Sequence, residues 1–93
     1  MAAIEKVKSR AEGLEKLADS RYGLQAGIFT NDLRSFFESW RKIDVGGLII
    51  NDVPAYRSDA MPYGGVKDSG TGREGVRYAM DEFTELRTLV VKP

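Results

Sequence analysis

The sequence predicts an α/β fold, a small three-layer-type α-β-α-β-loop-α-β arrangement, and three observations carry that prediction. Two stretches, Leu33-Phe36-Phe37-Trp40 and Val76-Ala79-Met80-Phe83, place apolar residues at i, i+3, i+4 and i+7, the spacing of one helical face. Short apolar, β-rich runs at 22–30, 45–50 and 86–93 alternate with helical segments of about 12 residues, the rhythm of strands layered on helices. Ninety-three residues leave room for one small domain and exclude a second.

The elements follow in order. Residues 3–18 are expected to form a helix whose face is Ile4, Val7, Ala11, Leu14 and Ala18, although Gly13 weakens it by about 1 kcal/mol relative to alanine. This stripe covers little more than two heptads, short of the three or four a coiled coil needs, so it reads as a helix lying on a core. YGLQAGIFT, 22–30, is a buried strand. Thr30 or Asn31 is expected to cap the next helix, which ends with Arg41 and Lys42 where positive charge suits the helix dipole. VGGLII, 45–50, is a second strand, and 51–70 form one polar loop, long enough to suggest a functional role. Thr71-Gly72-Arg73-Glu74 has the form of a capping box opening the last helix, and LRTLVVKP, 86–93, closes the chain as a strand.

Composition narrows the chemistry. Fourteen Lys and Arg balance fourteen Asp and Glu, and no basic run stands out, so nucleic acid and anionic membranes are not expected partners. With no cysteine and no histidine there is no thiol nucleophile, disulfide, Cys/His zinc site or imidazole base. Neither a signal peptide nor a membrane span is evident, which makes the cytoplasm the expected compartment. Asp44, Asp52, Asp59 and Asp68 lack the spacing of a metal loop and read as turn and cap residues; no metal is expected.

The segment MPYGGVKDSGTGREG, 61–75, contains G-x-G-x-x-G. A dinucleotide cradle would need a strand before it and, beyond the helix, a second strand with an acidic residue about 20 positions on. Only eighteen residues follow Gly75, and Glu74 would place a carboxylate where a pyrophosphate should lie. The glycines are therefore read as turns of positive φ at 64–65 and 70–72, with Gly75 permitting close packing on the helix start. Tyr63-x-x-x-Lys67 matches the Tyr/Lys spacing of short-chain dehydrogenases, but Gly64-Gly65 argues against the helix that chemistry requires. Tyr56, Arg57, Tyr63 and Lys67 remain. They could line a pocket mouth for a small anion, Arg57 gripping a carboxylate or phosphate with its planar fork, or be solvated charges with aromatics folded over the core.

At this point YGLQAGIFTND, VGGLIINDVPAYRSDAMPYGGVKDSGTGREG and VRYAMDEFTELRTLVVK, in that order, resemble the C-terminal part of the NAD(P)-dependent aldehyde dehydrogenases over about residues 14–93. The resemblance implies that residues 1–85 are the C-terminal portion of a catalytic domain. Residues 86–93 are then an oligomerisation strand that joins a neighbouring subunit's sheet. It implies a parent reaction in which an aldehyde is oxidised to an acid through a cysteine thiohemiacetal and hydride transfer to NAD or NADP. The nucleophile, general base and coenzyme domain lie upstream, so this chain alone is expected to hold no catalytic residue and bind no coenzyme. Tyr63, with Arg57 and Tyr56, is implied to contact a small aldehyde substrate. The chain is expected to self-associate, with a dimer foremost, or to join the missing upstream part. The alternative is a stand-alone, non-enzymatic interaction or oligomerisation module derived from the same family.

Overall fold

A computed structural model describes residues 2–93. Helix α1 spans Arg10–Ala18, and the Ser9 hydroxyl caps it by accepting from the Glu12 amide at 3.2 Å. The expected helix over 3–18 thus starts seven residues late. Residues 2–7 have no regular structure: Ile4 is solvent-exposed and Val7 only half-buried, so the first part of the stripe buries little that would offset the entropy of ordering it.

The strand expected at 22–30 is two short strands, β1 (Tyr22–Gly23) and β2 (Gln25–Ile28). Leu24 is where the run changes partner. β1 pairs antiparallel with β4 (Val66–Lys67), inside the segment expected to be loop, whereas β2 pairs in parallel with β3 (Gly47–Ile50). The register runs from Gln25 opposite Gly47 to Ile28 opposite Ile50. Parallel neighbours need a crossover, and α2 (Leu33–Lys42) supplies it.

The cap of α2 is Asp32, two residues beyond Thr30 and one beyond Asn31, the caps expected. Its carboxylate accepts from the Arg34 and Ser35 amides at 3.1 and 3.2 Å and from the Ser35 hydroxyl at 2.5 Å. These donors, the hydroxyl foremost, hold the Asp32 carboxyl below its ordinary value of 3.8. The residues α2 buries are Ser35 and Ser39, the latter satisfied by donating to the Ser35 carbonyl at 2.6 Å. Its aromatic stripe points away: Leu33, Phe37 and Trp40 are exposed and Phe36 is half-buried. Small side chains allow α2 to approach α1, and the ion pairs Arg10–Glu38 and Lys42–Glu15 bridge the two helices.

The described core is correspondingly small: Leu14, Ala26 and Ile43, with Ile28, Val45 and Leu48 against them. Helix α3, Val76–Glu82, buries none of its residues. Residues 84–93 form neither helix nor strand in the single chain, and Leu86 and Leu89 stand almost fully in solvent. Among the described residues the expected closing strand finds no backbone partner. A radius of gyration of 17.7 Å, against about 12 Å for a compact domain of this length, reflects these projecting parts. Among the described residues no helix is long and apolar enough to cross a membrane.

Candidate functional site

An open cleft of about 580 Å³ lies between the 57–75 segment and α3, lined by Arg57, Tyr63, Gly64, Arg73, Glu74 and Phe83 among others. Its back wall is set by steric contact. A Cβ at Gly46 would lie 1.6 Å from the Gly64 carbonyl oxygen, so only glycine lets the start of β3 meet the Tyr63-Gly64-Gly65 backbone. Gly64 and Gly65 serve this close approach, since neither has the positive φ expected of them. Gly70 and Gly72 do, at 115° and 79°.

Tyr63 is held to Glu74 by a reciprocal backbone pair, the Tyr63 amide donating at 3.2 Å and the Glu74 amide at 2.6 Å. Glu74 is therefore not half of a capping box. Gly75, at φ 102°, occupies the cap of α3 with no side-chain hydrogen bond, and the Glu74 carboxylate instead accepts from Arg57 Nη2 at 2.6 Å. The Arg57 guanidinium lies 4.6 Å from the centroid of the Tyr63 ring, within cation–π range. Gly75 does permit the close packing expected, because a Cβ there would meet the Met61 carbonyl at 2.7 Å.

Of the four loop residues singled out from sequence, two converge: Arg57 and Tyr63 share the cleft. Tyr56 is exposed outside it, its carbonyl accepting from Gln25 Nε2 at 2.9 Å. Lys67 turns to the far side, where Nζ donates to the Ala18 and Ser20 carbonyls at 3.0 and 3.1 Å and ties off the end of α1. Two cleft residues escaped the sequence reading, Glu74 as an ion-pair partner and Arg73 as a clamp. Arg73 Nη1 donates to the carbonyls of Gly65 at 2.8 Å and Gly72 at 2.7 Å. The signal available was an oppositely charged pair wedged between two glycines in Gly72-Arg73-Glu74-Gly75.

The G-x-G-x-x-G segment does not fit a dinucleotide. The helix after it has seven residues, and the Glu82 carboxylate sits 3.3 Å from where a Gly72 Cβ would be, which puts negative charge beside the turn. Among the described residues no cluster of acidic side chains could hold a metal ion.

Comparison with known proteins places this geometry. The aldehyde dehydrogenase family model matches residues 1–89, reaching further towards the N-terminus than the sequence motifs do. The chain is 59% identical over 80 residues to a 3-sulfolactaldehyde dehydrogenase of Priestia megaterium, covering 86% of this chain and 17% of that protein. It is 46% identical over 88 residues to a lactaldehyde dehydrogenase of Methanococcus maripaludis, covering 95% and 19%. Thus the chain spans less than a fifth of the length of these curated relatives. Among solved structures it is similar to a salicylaldehyde dehydrogenase from Pseudomonas putida complexed with salicylaldehyde, with a TM-score of 0.86, 37% identity and coverage of 94% and 18%. It is also similar to a glyceraldehyde-3-phosphate dehydrogenase from Methanocaldococcus jannaschii complexed with NADP, with a TM-score of 0.78, 44% identity and coverage of 81% and 16%. Sequence motifs, mixed helix–strand fold and neighbours agree, and the chain belongs to the aldehyde dehydrogenase family.

Proposed function

We propose that these residues are the C-terminal piece of an NAD(P)-dependent aldehyde dehydrogenase and furnish one wall of its substrate channel and part of its subunit contacts. The parent reaction is oxidation of an aldehyde to a carboxylic acid. The nucleophile, base and coenzyme site belong to upstream segments, and this piece binds and orients. Residues 1–85 complete the catalytic domain, and 86–93 extend as a strand along a neighbouring subunit.

The observation that carries the channel reading is the Arg57–Tyr63 stack in the cleft. Among the described residues Arg57 donates a side-chain hydrogen bond through Nη2 alone, leaving further guanidinium donors for a substrate anion, while the Tyr63 ring offers an apolar face to the carbon chain. Tyr56, on the same loop, is the third contact, brought in as the loop meets the upstream domain. Two relatives are named for lactaldehyde and its sulfonated analogue, which supports a short hydroxyaldehyde, with Arg57 favouring those that carry an anionic tail.

The test is kinetic and uses the complete enzyme bearing these residues. A hydrogen bond to a charged group contributes about 1.5–3 kcal/mol, so Arg57→Ala is expected to raise KM for an anionic aldehyde roughly tenfold or more. A neutral aldehyde of the same length should be little affected by that change, whereas Tyr63→Ala should weaken both. Unchanged kinetics with every aldehyde for both variants would remove the channel assignment.

A further inference from the structure

We propose that Arg73 is the positioning residue that holds Tyr63 at the cleft; this rests on the reading of the Tyr63 segment as a channel wall. Arg73 stands apart from the other cleft arginine. Arg57 is paired to a carboxylate, whereas among the described residues Arg73 makes no salt bridge and spends its guanidinium on two backbone carbonyls. One carbonyl belongs to Gly65, next to the Tyr63 segment, and the other to Gly72, the residue before Arg73 itself, so one nitrogen ties the Tyr63-Gly64-Gly65 backbone to the turn that leads into α3. Contact is close along the way: a Cβ at Gly64 would meet Arg73 Cδ at 2.9 Å and Nη1 at 3.2 Å.

Three constraints then converge on Tyr63. Gly46, just before β3, abuts the Gly64 carbonyl, the Glu74 backbone pairs with Tyr63 itself, and Arg73 anchors Gly65. Only the third is a side chain that a mutation can delete without altering backbone conformation or adding bulk. Gly65 is buried, so no water readily replaces the lost donor. Removing Arg73 should free the segment and blur the placement of the Tyr63 ring without touching the reacting atoms.

The experiment compares Arg73→Ala, Arg73→Lys and Tyr63→Ala in the complete enzyme by steady-state kinetics and by amide hydrogen exchange of the peptide covering 61–66. For Arg73→Ala the expected result is an aldehyde KM raised about tenfold with kcat within about twofold, the pattern of lost binding rather than lost chemistry. Exchange of 61–66 should quicken, and guanidinium added at millimolar concentration should lower KM again. Arg73→Lys, which retains a cation able to reach one of the two carbonyls, should fall between. Unchanged exchange in 61–66, or a change in coenzyme KM with the aldehyde KM intact, would overturn the assignment. Should Arg73→Ala fail to fold, Arg73→Lys decides by the same two readouts. If Tyr63→Ala leaves aldehyde KM unaltered, the channel reading fails, and hydrogen exchange still decides whether Arg73 holds the segment.

Discussion

The segment 61–75 and the tail 84–93 behave oppositely, and it is the tail, the richer in apolar side chains, that stands in solvent. In the first, contacts arrive from across the chain: Gly46 against Gly64, Glu74 paired with Tyr63, Arg73 across two carbonyls, and the Ser69 hydroxyl accepting from the Gly23 amide at 2.9 Å. In the second, a local side-chain hydrogen bond, Thr84 to the Met80 carbonyl, is the one found among the described residues, and Leu86, Leu89, Val90 and Val91 face solvent. The difference lies in where the partners are. A backbone whose complements lie within these residues is fixed by them, while a strand-like run with none remains an open edge that another chain can pair.

Steric interference in the anchored region should give the largest effect. Gly46→Ala forces a Cβ to 1.6 Å from the Gly64 carbonyl, and overpacking of this kind costs about 3 kcal/mol, with displacement of the Tyr63 segment. Denaturant unfolding checks it, and a midpoint equal to the parent's would show that the two backbones are not in contact.

In the tail the same logic predicts a different readout. Leu89→Asp should leave the chain's own stability within about 0.5 kcal/mol, because Leu89 touches little. Association should weaken, since covering a leucine contributes about 1.5–3 kcal/mol, or roughly ten- to a hundredfold in the dissociation constant. Sedimentation across a concentration series separates the two; loss of stability without loss of association would reverse the contrast.

The smallest effect concerns Asp32, the cap of α2 outside both segments. Its carboxyl is held below the ordinary value chiefly by the Ser35 hydroxyl and the Arg34 amide. A depressed carboxyl contributes stability that is complete above its unfolded value, near 3.8, and is lost as pH falls through its lower folded value. Helicity followed by circular dichroism should therefore fall in acid below about pH 4, and Asp32→Asn should flatten that part of the curve while keeping a cap. An unchanged acid limb would mean that Asp32 is not the titrating cap.

What the sequence disclosed follows the same division. Helix α2, the strand character of β2 and β3 and the positive-φ glycines at 70 and 72 were legible because their signals are local: periodicity, β-rich composition and glycine; that β2 and β3 pair, and in parallel, was not. Three further features were not. The run 22–28 changes partner at Leu24, and no residue there announces that one neighbour is β4 and the other β3. Glu74 has capping-box spacing, yet a strong guanidinium from seventeen residues away claims its carboxylate, and Gly75 takes the cap. The aromatic stripe of α2 was identified correctly as a stripe, but its helix rests here on Ser35 and Ser39, leaving Phe37 and Trp40 outward. Of the site, Arg57 and Tyr63 were visible as residue types, whereas Arg73 was not, because its role depends on which carbonyls the fold brings within 3 Å.

The outward stripe, the bare α3 face and the unpaired tail make one claim, that these surfaces are covered by the rest of an aldehyde dehydrogenase. The most direct test is a denaturing immunoblot of the source cells with antibody raised against residues 1–93. The account predicts a single band several times larger than 10.3 kDa, carrying these residues at the end of a complete enzyme. A sole band at 10.3 kDa would contradict it and mark a free-standing module.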